Sequence, residues 1–135
     1  MIMKNLMIIL CLLFTVNTLF SQRIVEKRIK ASENTKLMID FQFADNIIIN
    51  GWDKDELYLK VKVNINDNQN NENFILEIDE SKSLIKLVSE IEDMEKLHTR
   101  KVIKDEDGDI TSYECYIDMD LEFELFVPEN AKLEL

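Results

Sequence analysis

The chain has 135 residues, of which 27 are Asp or Glu and 16 are Lys or Arg, for a net charge of −11. That excess of acid repels nucleic-acid phosphates and disfavours anionic lipid surfaces, which excludes DNA and RNA as partners. The length suffices for one domain with a real core, and two glycines and one proline leave little to divide it.

Residues 1–21 have the order of an export signal. Met1–Asn5 carries the single charge Lys4, Leu6–Val16 is an uncharged apolar run, and Asn17–Gln22 is a polar exit. The run is shorter than the roughly 20 apolar residues of a membrane span. Cleavage is expected after the small Ser21, although Leu19 departs from the A-x-A pattern. An uncleaved anchor is the rival reading, and lipid modification at Cys11 a second, against which stands Leu10 in place of a small residue. Cleavage would leave 15 basic and 27 acidic residues in a single domain over residues 22–135. That domain is expected in the periplasm, on the outer surface or secreted, with no stable membrane span. Its partner, of the envelope or extracellular, is not named by composition. Cys115 would then be the one cysteine, without an internal disulfide partner, and reads as a small buried hydrophobe.

Period-2 alternation with β-branched and aromatic content predicts strands over 24–30, 36–43, 47–50, 57–65, 74–79, 84–90 and 111–127, with another starting at 132–135. Two stripes are the cleanest. Leu57, Leu59, Val61, Val63 and Ile65 alternate with Tyr58, Lys60, Lys62 and Asn64. Every odd residue from Tyr113 to Val127 is apolar, with Glu114, Asp118, Asp120, Glu122 and Glu124 between them. The second stripe reads as one long strand, dry on one face and acidic on the other. Lysines of the first stripe are expected to pair across strands with Asp118, Asp120 or Glu122, each pair contributing roughly 0.2–1 kcal/mol. Asn50-Gly51 predicts a tight turn, and Asn66–Asn73 a polar loop with no core residue. Ile91–Lys101 has helical spacing at Ile91, Met94, Leu97 and His98, and predicts a short helix or an irregular excursion. His98, the lone histidine, sits among basic residues and reads as solvated.

Chemistry-bearing patterns are few. Asp105, Asp107, Asp109 and Glu114 around Gly108 resemble part of a calcium loop, because hard cations need several converging oxygens. Ile103 at the first ligand position and a strand where a helix should follow oppose that reading; the alternative is a solvated turn. Trp52 and Asp53 mark a second place, either a binding surface of the kind that contacts carbohydrate or an aromatic folded over the core edge. No nucleophile, metal or phosphate-loop motif is present, while the abundant carboxylates leave a glycosidase-type pair open.

Two segments resemble a known family. Phe43–Val61, with Trp52-Asp53-Lys54-Asp55-Glu56 between two strands, and Val127-Pro128-Glu129-Asn130-Ala131-Lys132-Leu133 are similar to steps of a bacterial adhesin-type domain of unknown function, an exported β-solenoid-like family. The resemblance spans about Ile24 to Leu135 and implies stacked short strands, with no catalytic residue to carry over. The expected fold is therefore all-β: antiparallel hairpins leading into a β-solenoid-like or two-sheet stack, of which these residues are the N-terminal part. The expected function is a non-enzymatic envelope protein with a structural or adhesive role. The alternatives are a calcium-dependent binding module and an envelope glycoside hydrolase using paired carboxylates.

Overall fold

The computed structural model describes residues 21–135, so the export segment, Cys11 included, lies outside the described residues apart from Ser21. The strands in chain order are β1 (Arg23–Lys30), β2 (Lys36–Phe41), β3 (Asn46–Trp52), β4 (Glu56–Ile65), β5 (Phe74–Glu80), β6 (Leu84–Ile91), β7 (Thr99–Lys104), β8 (Ile110–Tyr116), β9 (Met119–Pro128) and β10 (Lys132–Glu134). Sheet A has the order β1–β4–β9–β3, sheet B the order β10–β2–β6–β5, and β7 with β8 forms a separate two-stranded ribbon.

The alternation explains the two sheets. Leu57, Leu59, Val61, Val63 and Ile65 on β4 lie beside Leu121, Phe123, Leu125 and Val127 on β9, and all nine are buried. They face Leu37, Ile39, Phe74, Ile85 and Leu87 of sheet B in one hydrophobic cluster. Phe123 is the hinge of this contact. Its ring stacks on Phe41 of sheet B at 4.2 Å between centroids and meets Phe74 at 6.1 Å. Aromatic pairs in these geometries add to the area they bury.

The fold is all-β, and the two-sheet stack is present. The sheets are open and do not wind as solenoid coils. Antiparallel hairpins supply only part of the pairing, at β5–β6 and β7–β8. β9 runs antiparallel to β4 but parallel to β3, and β2 runs parallel to both β6 and β10.

Several local expectations are corrected. The stripe from Tyr113 to Val127 is two strands, broken at Ile117–Asp118. The Asn66 side chain accepts the Asp118 N–H at 3.1 Å, and the Asn66 N–H reaches the Asp118 carbonyl at 2.7 Å, which turns the chain out of line. Beyond the break β8 pairs only with β7, so Tyr113 and Cys115 are exposed rather than buried. Tyr113 is covered instead by the Arg100 guanidinium, 3.7 Å above its ring. Asn50-Gly51 lies inside β3, where pairing with Phe126 and Val127 continues, and the turn falls at Asp53–Asp55. Of the two readings of Ile91–Lys101 the structure has the irregular excursion and no α-helix: the end of β6, a 3-10 turn at Met94–Lys96 and the start of β7, with Leu97 buried.

The Asn66–Asn73 loop does contain a buried residue. Asn71 is 6% exposed; its Oδ1 accepts the Ile65 N–H at 2.8 Å, and its amide donates to Asn68 Oδ1 and the Ser21 carbonyl. Asn66, Asp67 and Asn68 hold successive φ values of 50°, 53° and 64°, a left-handed run that Asn and Asp tolerate best. The asparagine-rich composition is thus a backbone requirement.

Ser89 on β6 is 1% exposed, and its hydroxyl has no partner among the described residues. A buried hydroxyl left unpaired costs about 1–3 kcal/mol. Ser89→Ala is therefore expected to raise stability by up to about 1 kcal/mol, read as a higher urea midpoint with an unchanged slope.

Candidate functional site

The outer face of sheet A carries the even-numbered residues of its strands in three cross-strand rows. Ile24 stands beside Lys62, Glu122 and Asn46; Glu26 beside Lys60, Glu124 and Ile48; Arg28 beside Tyr58, Phe126 and Asn50. The expected lysine pairing is present where Lys62 Nζ lies 3.7 Å from Glu122. Lys60 registers with Glu124, Asp120 stands opposite Asn64, and Asp118 lies outside the strand. Exposed pairs of this kind fix register more than they stabilise.

The third row changes character. Trp52, Tyr58 and Phe126 form an aromatic cluster on the solvent side of the sheet. Trp52 to Phe126 is 5.1 Å, Tyr58 to Phe126 is 6.0 Å, and Trp52 to Tyr58 is 6.5 Å between ring centroids. All three are half-buried. The Trp52 indole N–H donates to the Glu56 carbonyl at 2.7 Å, which fixes the ring across the β3–β4 turn. Two cations flank the cluster: the Arg28 guanidinium 4.4 Å from the Tyr58 ring centre and Lys54 Nζ 4.8 Å from that of Trp52. Such contacts contribute about 0.5–1 kcal/mol at exposed sites.

Trp52 also walls a groove of about 370 Å³ at this end of the sandwich, with Ser32, Asn34, Asp53, Glu129 and Asn130 among its polar lining. Three turns build it. The Ser32 N–H donates to Thr35 Oγ1 at 3.0 Å in the β1–β2 turn. The Ala31 N–H reaches the Asp55 carbonyl at 3.2 Å, and the Glu129 N–H reaches the Trp52 carbonyl at 2.9 Å. Asn130 holds φ 67° at the β9–β10 turn. The arrangement offers a fixed indole beside amide, hydroxyl and carboxylate groups.

The acidic hairpin tip is built differently. Asp105 Oδ1 accepts the N–H groups of Asp107 at 3.0 Å and Asp109 at 2.8 Å, so that carboxylate closes its own turn. Gly108 takes φ 84° there, a conformation suited to glycine. Glu114 lies on β8 opposite Lys101. Among the described residues no three Asp, Glu, His or Cys side chains converge as a cation would require. His98 is exposed.

Sequence alone places Tyr58 on the outward side of its stripe but does not single out Tyr58, Phe126 or Arg28 as a site. The available signal was their position: each aromatic occupies an outward place in a stripe otherwise polar. No family model, no curated protein and no solved structure matches the chain.

Burial pushes the Tyr58 hydroxyl above its ordinary 10, with the charge of Glu26 adding to the rise and Arg28 opposing it. The folded state therefore keeps this proton after the unfolded chain has lost it, and stability is lost as pH rises from 10 through the folded value. Urea midpoints above pH 10 are expected to fall less steeply in Tyr58→Phe. At neutral pH, melting curves with excess calcium and with chelator are expected to superimpose, and a shift of several degrees would show metal held at the hairpin tip.

Proposed function

We propose that the chain is a non-enzymatic, exported binding module of the cell envelope, adhesive in role, that meets carbohydrate through the Trp52 end of sheet A. The observation that carries this reading is the fixed Trp52 ring beside a polar groove. An indole offers a sugar's C–H face a flat apolar surface, while Asn34, Asp53 and Asn130 offer the hydrogen bonds its hydroxyls need. The sequence of residues 1–21 supports export. The resemblance to the adhesin-type family supports the adhesive role. Kinship with that family's strand stacks draws on the parallel pairs β2–β10 and β3–β9, since β2 leads into β3 and β9 into β10 from one sheet to the other.

Trp52 is the one tryptophan of the chain, so its fluorescence reports directly on this end. Titration with oligosaccharides selected on a glycan array is expected to give a saturable emission change. Trp52→Phe should weaken retention on the array, and Asp53→Ala together with Asn130→Gly should weaken it without moving the thermal midpoint by more than a few degrees. An array without a single retained glycan would overturn the carbohydrate reading. Fractionation that left the chain in the cytoplasm would overturn export.

A further inference from the structure

The four edge strands of the sandwich are protected unequally. At one end lie β1 and β5, tied by the Arg23 guanidinium, which donates to the carbonyls of Asn71 and Phe74 at 3.1 Å each. β1 carries Arg23, Glu26, Lys27, Arg28 and Lys30, and β5 carries Glu77, Asp79 and Glu80. Charged edges resist addition of a further strand. At the other end lie β3 and the short β10. Among the described strands β3 alone has no charged residue. Its Ile47 and Ile48 are 40% and 46% exposed, and Leu133 of β10 is 42% exposed. In a chain of net charge −11, an uncharged, isoleucine-rich edge that has no further strand beside it among the described residues is a template for pairing.

The sequence of that edge selects its partner. Asn46-Ile47-Ile48-Ile49-Asn50 reads identically in both directions. Antiparallel pairing with a second copy about a two-fold axis through Ile48 sets Ile48 against Ile48, Ile47 against Ile49 and Asn46 against Asn50. Side chains opposite each other in an antiparallel pair share a face, so each contact is apolar with apolar or amide with amide. No charge of either copy enters the central five rungs, which the acidic surface would otherwise oppose. An isologous contact of this kind closes on itself and stops at two. We infer that β3 is a homodimer interface, joining two A sheets edge to edge into one eight-stranded sheet.

The test uses the protein as recovered after expression of the full 135-residue sequence. Sedimentation equilibrium across a wide concentration range is expected to show a reversible monomer–dimer system. Amide exchange at residues 46–50 should slow as concentration rises. Ile48→Lys is expected to weaken dimerisation about tenfold or more, because two ammonium groups would meet on the axis. A charge exchange keeps the register testable if that variant folds poorly. Asn46→Lys combined with Asn50→Glu places opposite charges across both outer rungs and should restore or tighten the dimer, whereas Asn46→Lys combined with Asn50→Lys should loosen it. A monomer at every concentration would overturn the inference. So would open-ended assembly, or slow exchange at 46–50 independent of concentration, which would give the edge to a strand other than a second copy's.

Discussion

The structure depends on what β9 must satisfy at once. Leu121, Phe123, Leu125 and Val127 fill the space between the sheets, while the backbone on either side serves β4 in antiparallel and β3 in parallel register. Parallel and antiparallel ladders place their hydrogen bonds differently, so a strand between both is fixed in position from two sides. Its entry is clamped as well: the Asp45 N–H reaches the Leu121 carbonyl at 3.0 Å, and Asp45 Oδ2 accepts the Leu121 N–H at 2.8 Å. With β9 fixed, the outward cluster of Tyr58, Phe126 and Trp52 follows from register, Tyr58 opposite Phe126 and Trp52 one outward step further along β3, since a slip of one residue would send Phe126 into the core and Phe123 to solvent.

The same clamp has a cost nearby. To return from sheet B to sheet A in four residues, the β2–β3 corner places Phe43 at φ 59°, and its ring is left exposed. A left-handed conformation costs an ordinary residue about 1–2 kcal/mol. The corner tolerates it because Asp45, two residues on, holds both polar groups at the start of β9.

Where strands cover one another, the sequence was a sufficient guide. β4 and the second half of the long stripe alternate and are buried as alternation requires, and the ends of β1, β5 and β6 fall close to where composition places them. The failures share one cause. Period-2 alternation reports that a strand could be covered on one face, not that a second sheet is there to cover it. Tyr113 and Cys115 keep the period of Leu121 and Phe123 and yet lie on a ribbon that no other described sheet covers. β7 was missed because Thr99–Lys104, with three basic residues, has almost no apolar face to show. The break at Ile117–Asp118 was invisible because its agent, Asn66, is 52 residues away. Asn50-Gly51 is a turn signal overridden by a parallel ladder. At the candidate site Trp52 was legible by its rarity. The residues that hold it were not, since their assembly depends on the register of four strands.

The two proposed surfaces bear on each other through geometry. A two-fold axis perpendicular to the sheet leaves the outer faces of both A sheets on the same side. Trp52 lies four residues along β3 from Ile48, so at about 3.4 Å per residue the two indoles would stand roughly 27 Å apart along the strand direction. The indoles would share the outer face of the joined sheet while the grooves beside them lie toward its opposite ends, and two weak sites at a fixed spacing convert a second binding event into an intramolecular one, with gains of about 10²–10⁴ in apparent affinity when the target repeats along that face. A repeating surface glycan is such a target, whereas a soluble monosaccharide is not. An uncharged edge that pairs two copies would therefore make a shallow, polar groove, unremarkable for a free ligand, effective against a surface.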